Sequence, residues 1–284
     1  MAWMLLVLVY GVLKGTREIA KKKALQKNTV LEVLVFYTLL SFLMVVPDAP
    51  NAIHIEPAFL IPVAFKSFII FVAWMCSFKA IKKLPISIVG ILDLSRVLFA
   101  TLLGYFVLKE QATLPQIIGL ILVCTGLLCL KRRGKSDKEE AKEQVKTKYV
   151  VIVMISCILN ALSGLMDKIL MKDLTSAELQ FWYMLFLVIF YVIYVVVTKT
   201  KIDVKSLVKN YWVWALSIMF VIADRCLFIA NGMPESKVTI MTLIKQSGCI
   251  VTILGGKFIF HEKNIAYKMF CATIIIVGIV VALF

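Results

Sequence analysis

The sequence predicts an all-α membrane protein of ten transmembrane helices, arranged as two inverted five-helix repeats around a central cavity. Three observations carry that expectation. Apolar residues come in long blocks, the two halves of the chain resemble each other, and charges recur inside the blocks. The 284 residues are 61% hydrophobic with a mean hydropathy of +0.93, where a soluble domain is about 45–50% apolar. Most blocks reach about 18 residues, the length a helix needs to cross a bilayer.

Reading blocks against loop signals places helices at 2–24, 30–47, 59–79, 85–108, 113–131, 148–171, 176–198, 211–231, 236–259 and 264–283. "PDAPN" at 47–51, "KKLP" at 82–85 and "NGMP" at 231–234 mark helix ends, because Pro and Gly interrupt the backbone ladder. The sizeable polar stretch is "KRRGKSDKEEAKEQVKTK", 131–148. It divides the chain into a first repeat (1–131), a charged cytoplasmic linker (132–147) and a second repeat (148–284).

Internal similarity supports the division. "LEVLVFY" (31–37) aligns with "AELQFWY" (177–183) at an offset of 146, pairing Glu32 with Glu178 and Tyr37 with Tyr183. "SRVLFATLLGYFVLKE" (95–110) aligns with "SGCIVTILGGKFIFHE" (247–262) at an offset of 152, pairing Ser95 with Ser247, Glu110 with Glu262 and, further on, Gly126 with Gly278. An odd number of helices per copy forces the second copy to enter from the opposite face. Folds of that kind place their substrate site near the midplane, at the interface between the copies.

A small-residue helix ending in "LKE" or "FHE", followed by a helix with a central glycine ("IIGLILVCTGLL", "CATIIIVGIV"), resembles the drug/metabolite transporter superfamily and, within it, the ten-helix EamA-type transporters. The resemblance spans nearly the whole chain. It implies a cavity lined by the first four helices of each half, with the fifth helix peripheral. It also implies a cargo among amino acids, sugar phosphates, nucleotide sugars or drugs.

The net charge of +15 reads as topology rather than nucleic-acid binding, because the bases sit in short connections. One set of alternating connections holds 21 bases, in 21–27, 79–83, 131–148, 199–209 and 257–263, while the other holds Lys109, Lys172 and Lys237. The positive-inside rule puts the first set in the cytoplasm of a multi-pass plasma-membrane protein. Both termini then lie outside, a departure from the cytoplasmic termini usual in the family.

Charge in hydrocarbon must face protein or water. Lys14, Arg17, Glu18, Lys66, Asp93, Arg96, Asp167, Lys168, Asp224, Arg225 and Lys245 all fall inside apolar blocks. Asn160, Ser163, Gly164 and Asp167 follow the i, i+3, i+4, i+7 spacing of one helix face, which should line the cavity. Asp93–Arg96 and Lys14–Glu18 are spaced to pair locally. Asp224 and Arg225 are adjacent and diverge by about 100°, so one should face the cavity and the other a neighbouring helix. Trp74, Trp182 and Tyr183 supply aromatic walls or interface anchors. Lys109–Glu110 and His261–Glu262, at helix ends, should cap helices or form surface pairs rather than bind substrate.

The substrate-binding expectation is therefore Lys66, Trp74, Arg96, Asp167, Lys168, Trp182, Tyr183, Asp224 and Lys245, with Asp167 or Asp224 as the proton-coupling group. A mixed, slightly cationic cavity suits a small anionic or zwitterionic metabolite moved by alternating access; the alternative is a flippase for a lipid-linked intermediate. Small-molecule solute and membrane lipid are the expected partners, with no nucleic acid, in a monomer or homodimer. Two histidines and seven cysteines without a CxxC pair point to no metal site. No phosphate-binding glycine loop is present for direct ATP drive. Neither a His/Asp cluster nor a GxSxG elbow suggests an enzyme, and no cofactor is expected.

Overall fold

The computed structural model describes residues 2–99, 103, 114–133, 147–171, 173–233 and 244–282. Among them the chain is helical, with no strand. The long helices are α1 (Ala2–Lys27), α2 (Val30–Val45), α3 (Leu60–Lys83), α4 (Ile86–Asp93), α5 (Leu114–Arg133), α6 (Thr147–Leu170), α7 (Ser176–Thr198), α8 (Tyr211–Gly232), α9 (Ser247–Phe260) and α10 (Ile265–Ala282). Short helical turns at Val46–Asp48, Ala49–Ala52 and Pro57–Phe59 carry the chain from α2 to α3, and Val204–Lys209 precedes α8. Among the described residues four helical stretches are long and apolar enough to cross a membrane: Val30–Ala52, Pro57–Lys83, Thr147–Asp167 and Ser176–Thr198. Over the described residues Ile117–Gly126, Ser247–Phe260 and Ile265–Val281 are apolar but shorter.

Helix starts follow from local chemistry. Thr29 caps α2 and Glu32 reaches back to the Thr29 amide at 2.8 Å. Thr175 and Glu178 repeat that arrangement at the start of α7, also at 2.8 Å. Each is a capping box, satisfying two backbone donors that the first turn leaves over. The aligned acids Glu32 and Glu178 are thus equivalent helix-start residues.

The helix pairings exchange with one another between halves. α1 packs on α8 as α6 packs on α3, α1 meets α9 as α6 meets α4, and α3 meets α7 as α8 meets α2. α10 meets α4 and α9, and α5 and α10 pack on each other. At their crossing, a Cβ on Gly126 would meet Ile275 and the Cys271 carbonyl, and one on Gly278 would meet Val123 and the Gly119 carbonyl. The contacts are reciprocal at the sequence offset of 152. Only glycine lets the backbones come so close, and closely approached backbones are how helices associate in lipid. α1 uses the same device against α9, where Gly11 and Gly15 face Ser247 and the Gly248 carbonyl.

Helices expected to run unbroken over 85–108 and 236–259 are interrupted at Leu94 and Gln246. The Val97 amide donates to the Leu94 carbonyl at 3.2 Å and the Cys249 amide to the Gln246 carbonyl at 2.9 Å. These are three-residue turns inside the α-helical ladder, again 152 residues apart. No proline or glycine occupies either position, so composition gives no warning. α1 also runs to Lys27, three residues past its expected end.

One end of the bundle gathers the lysine-rich connections. Asn210 donates to the Asn28 side chain at 2.7 Å and to the Ala24 carbonyl at 3.2 Å. Lys82 reaches the Asn28 carbonyl at 3.1 Å, and Lys22 reaches the Leu84 carbonyl at 2.7 Å. Glu262 forms the densest knot there. Its carboxylate accepts from the Ile86 amide at 2.5 Å and the Ser87 amide at 3.3 Å, from the Ser87 hydroxyl, and pairs with Lys268 at 3.2 Å and Lys22 at 3.7 Å. Burial opposes its ionisation, but the Ser87 hydrogen bond and the two ammonium groups outweigh it and hold the carboxyl below the usual carboxylate range. Glu262 caps a helix as expected, but the helix is α4, in the other half.

Candidate functional site

Four side chains from four helices form a connected polar group between the halves. Lys66 Nζ on α3 pairs with Asp167 Oδ1 on α6 at 2.9 Å and lies 4.0 Å from the ring centre of Tyr183 on α7. The Tyr183 hydroxyl donates to Asp224 Oδ2 on α8 at 3.4 Å. The Lys66 side chain is 4% exposed and that of Asp167 39%. A buried ammonium is stable only when paired, and the carboxylate and the aromatic face together supply the partners. A Cβ on Gly164, three residues before Asp167, would meet nothing within 4 Å, so the pair borders open space. Lys66 lies six residues, or about 9 Å, into α3 from the end opposite the lysine-rich connections. The group therefore sits towards that end rather than halfway.

An aromatic box adjoins it. Tyr37 packs on Trp74 with ring centres 5.3 Å apart and on Phe220 at 5.5 Å, while Trp74 meets Phe220 edge-on at 5.6 Å. Arg17 on α1 lies 5.0 Å from the Phe220 ring. Of the expected aromatics, Trp74 and Tyr183 reach this region. Trp182 does not: it donates to the Ala52 carbonyl at 2.8 Å and pins α7 to the turn after α2.

A second polar group lies between α1, α4 and α9. Lys14 Nζ pairs with Asp93 Oδ2 at 2.7 Å, beside a small cavity that Gln246 and Thr252 also line. Lys245 lies 5.9 Å from the Tyr10 ring, and Arg96 is half-buried just beyond the Leu94 interruption. The cavity thus falls between the two interruptions. The local pairs favoured by spacing do not form. Asp93 takes Lys14 rather than Arg96, and Glu18 takes Lys21 at 2.5 Å rather than Lys14. Spacing permits those pairs, but Asp93 finds its partner on another helix and Glu18 finds its own one turn further along α1. Asp224 and Arg225 diverge as expected, with Arg225 pairing with Asp48 after α2.

The side chain of Lys168 and residues Lys109, Glu110, Lys172, Lys237 and 134–146 lie outside the described residues. Among the described residues no cluster of three His, Cys, Asp or Glu could hold a metal ion.

Residues missed by sequence reasoning are Tyr37, Phe220 and Arg17. Tyr37 was visible as the repeat partner of Tyr183, and the two now flank the same space from α2 and α7.

Comparison with known proteins bears on this arrangement in two ways. Twenty-four solved chains match; among them a crystal structure of a protein superposes on 99% of this chain and 96% of its own, with a TM-score of 0.67 at 13% identity. That likeness concerns the fold. No curated protein matches the sequence. The EamA-like transporter family, however, matches residues 1–132, which contain Lys14, Arg17, Tyr37, Lys66, Trp74, Asp93 and Arg96. Residues 1–132 are therefore similar to the EamA-like transporter family of the drug/metabolite transporter superfamily.

Proposed function

We propose that the protein is a secondary transporter that moves a small anionic or zwitterionic metabolite across the membrane by alternating access. The observation that carries this reading is the chain of contacts Asp167–Lys66–Tyr183–Asp224. It joins α3 of the first half to α6, α7 and α8 of the second. A purely structural ion pair needs no third and fourth polar member. A solute path needs groups that can exchange partners, because charge in a membrane interior marks pathways.

The exchangeable helix pairings, the reciprocal glycines and the equally spaced interruptions support two five-helix repeats of opposite orientation, 1–131 and 148–284. They support ten spans, with the linker 132–147 at the lysine-rich, cytoplasmic end and both termini outside. The two halves would rock about the polar groups. The Glu262 and Asn210 knots hold the lysine-rich end together, while Asp167 and Gly164 border open space towards the other.

Among the described residues Asp93 and Asp167 each have a lysine within salt-bridge distance, whereas Asp224 has only the Tyr183 hydroxyl. Asp224 is therefore the stronger candidate for proton coupling. Lys245, across α1 from this group, completes the cationic lining.

The test is flux into proteoliposomes, screened over labelled amino acids, organic acids and sugar phosphates. Asp224→Asn should abolish accumulation of the transported solute while leaving the melting temperature within a few degrees of wild type. Undiminished accumulation in the variant removes Asp224 from the site. Failure of every soluble solute, with movement of a fluorescent lipid between leaflets, would favour the flippase.

A further inference from the structure

Arg17 holds the unspent hydrogen bonds at the heart of the molecule. It is 9% exposed and lies on α1, one turn before Lys21. Its Nε and Nη1 are buried without a hydrogen-bond partner. The acids that might take them are engaged elsewhere: Glu18 by Lys21, Asp93 by Lys14, and Asp224 by the Tyr183 hydroxyl. Phe220 covers the guanidinium at 5.0 Å and offers no oxygen.

Arg96 repeats the deficit just beyond α4, with its Nε also buried and unpartnered. The two guanidiniums share Tyr10 and Glu18 as electrostatic neighbours. Donors left over in a water-poor interior are costly, and a guanidinium fork matches the oxygens of a carboxylate or phosphate.

We propose that Arg17 is the oxyanion receptor of this carrier: its guanidinium takes the carboxylate or phosphate oxygens of the passing solute, and Arg96 adds a second positive charge. The aromatic box of Tyr37, Trp74 and Phe220 backs the bound anion. The proposal rests on the carrier reading of the same site and adds to it the residue that selects for negative charge. Asp224, within electrostatic reach of Arg17, balances the guanidinium when no solute is present without bonding it.

The experiment is a melting-temperature titration of the purified full chain with sodium phosphate and with sodium acetate, against sodium chloride at equal ionic strength. A ligand that binds the native state raises its melting point. Wild type should rise with one or both oxyanions and not with chloride. A rise with acetate alone names a carboxylate, and one with phosphate alone a phosphate. Arg17→Met should melt no lower than wild type in chloride and show no oxyanion-specific rise. Arg17→Lys keeps the charge but not the fork and should bind at least roughly ten-fold more weakly, the worth of one charge-assisted hydrogen bond; it serves where the methionine variant does not fold. No oxyanion-specific rise in wild type, or an equal rise in the variants, overturns the proposal. An Arg17-dependent rise without flux of any solute sinks the carrier reading and leaves the receptor standing. Full flux in Arg17→Met does the reverse.

Discussion

Two polar regions of this molecule differ in one respect that separates structure from function. Around Glu262, at the lysine-rich end, two backbone amides, a hydroxyl and two ammonium groups converge on one carboxylate, which is matched on every side. Among the helices of the bundle, Arg17 and Arg96 keep donors without acceptors, and Asp224 has a single 3.4 Å contact. Both regions are buried and both join the halves. The first reads as a fastening, because nothing more can bind there without breaking something. The second reads as a place of passage, because its deficits are filled only by what enters.

The comparison can be broken in stages. The largest effect belongs to Asp224→Asn, where flux should vanish while the fold persists. Next comes Glu262→Ala. Removing one partner of a buried ionic knot typically costs ~3–5 kcal/mol, read as a large fall in melting temperature, while flux per folded molecule should remain. The same knot carries a pH signature. Because Glu262 titrates below its ordinary 4.5 in the folded protein, its contribution is present at neutral pH and is lost as pH falls through that lowered value. Glu262→Gln should flatten this part of the acid stability curve, and an unchanged curve would show that the knot is not ionic.

A smaller effect follows at the α5–α10 crossing. A Cβ on Gly278 would meet backbone atoms, the Gly119 carbonyl at 2.8 Å and the Val123 nitrogen at 3.0 Å. Gly278→Ala should therefore cost ~1–3 kcal/mol by overpacking without touching flux, since neither helix carries a polar site residue. Thr175→Ala, which removes the cap of α7, should cost only ~1 kcal/mol. If it costs much more, the capping box is also holding the end of the bundle opposite the lysine-rich connections.

Local chemistry was readable in the sequence and long-range pairing was not. Apolar blocks and the repeat alignment foretold the helices, and the Thr29–Glu32 and Thr175–Glu178 spacing contains the caps. The face of α6 bearing Asp167 was likewise legible from its period. Lys14–Asp93, in contrast, joins residues 79 apart, and spacing alone prefers Glu18. The interruptions at Leu94 and Gln246 lack the proline or glycine that would announce them, so they follow from packing around the polar groups and not from propensity. Arg17 looked like one of several charges near a helix end. Its isolation becomes visible only when every neighbouring acid is found to be taken.

The most direct test of the account measures flux and melting temperature together in Asp224→Asn and Glu262→Ala. The account predicts a dissociation: the first variant loses transport and keeps its stability, and the second loses stability and keeps transport per folded molecule. Loss of both properties in both variants, or transport surviving in Asp224→Asn, would contradict it.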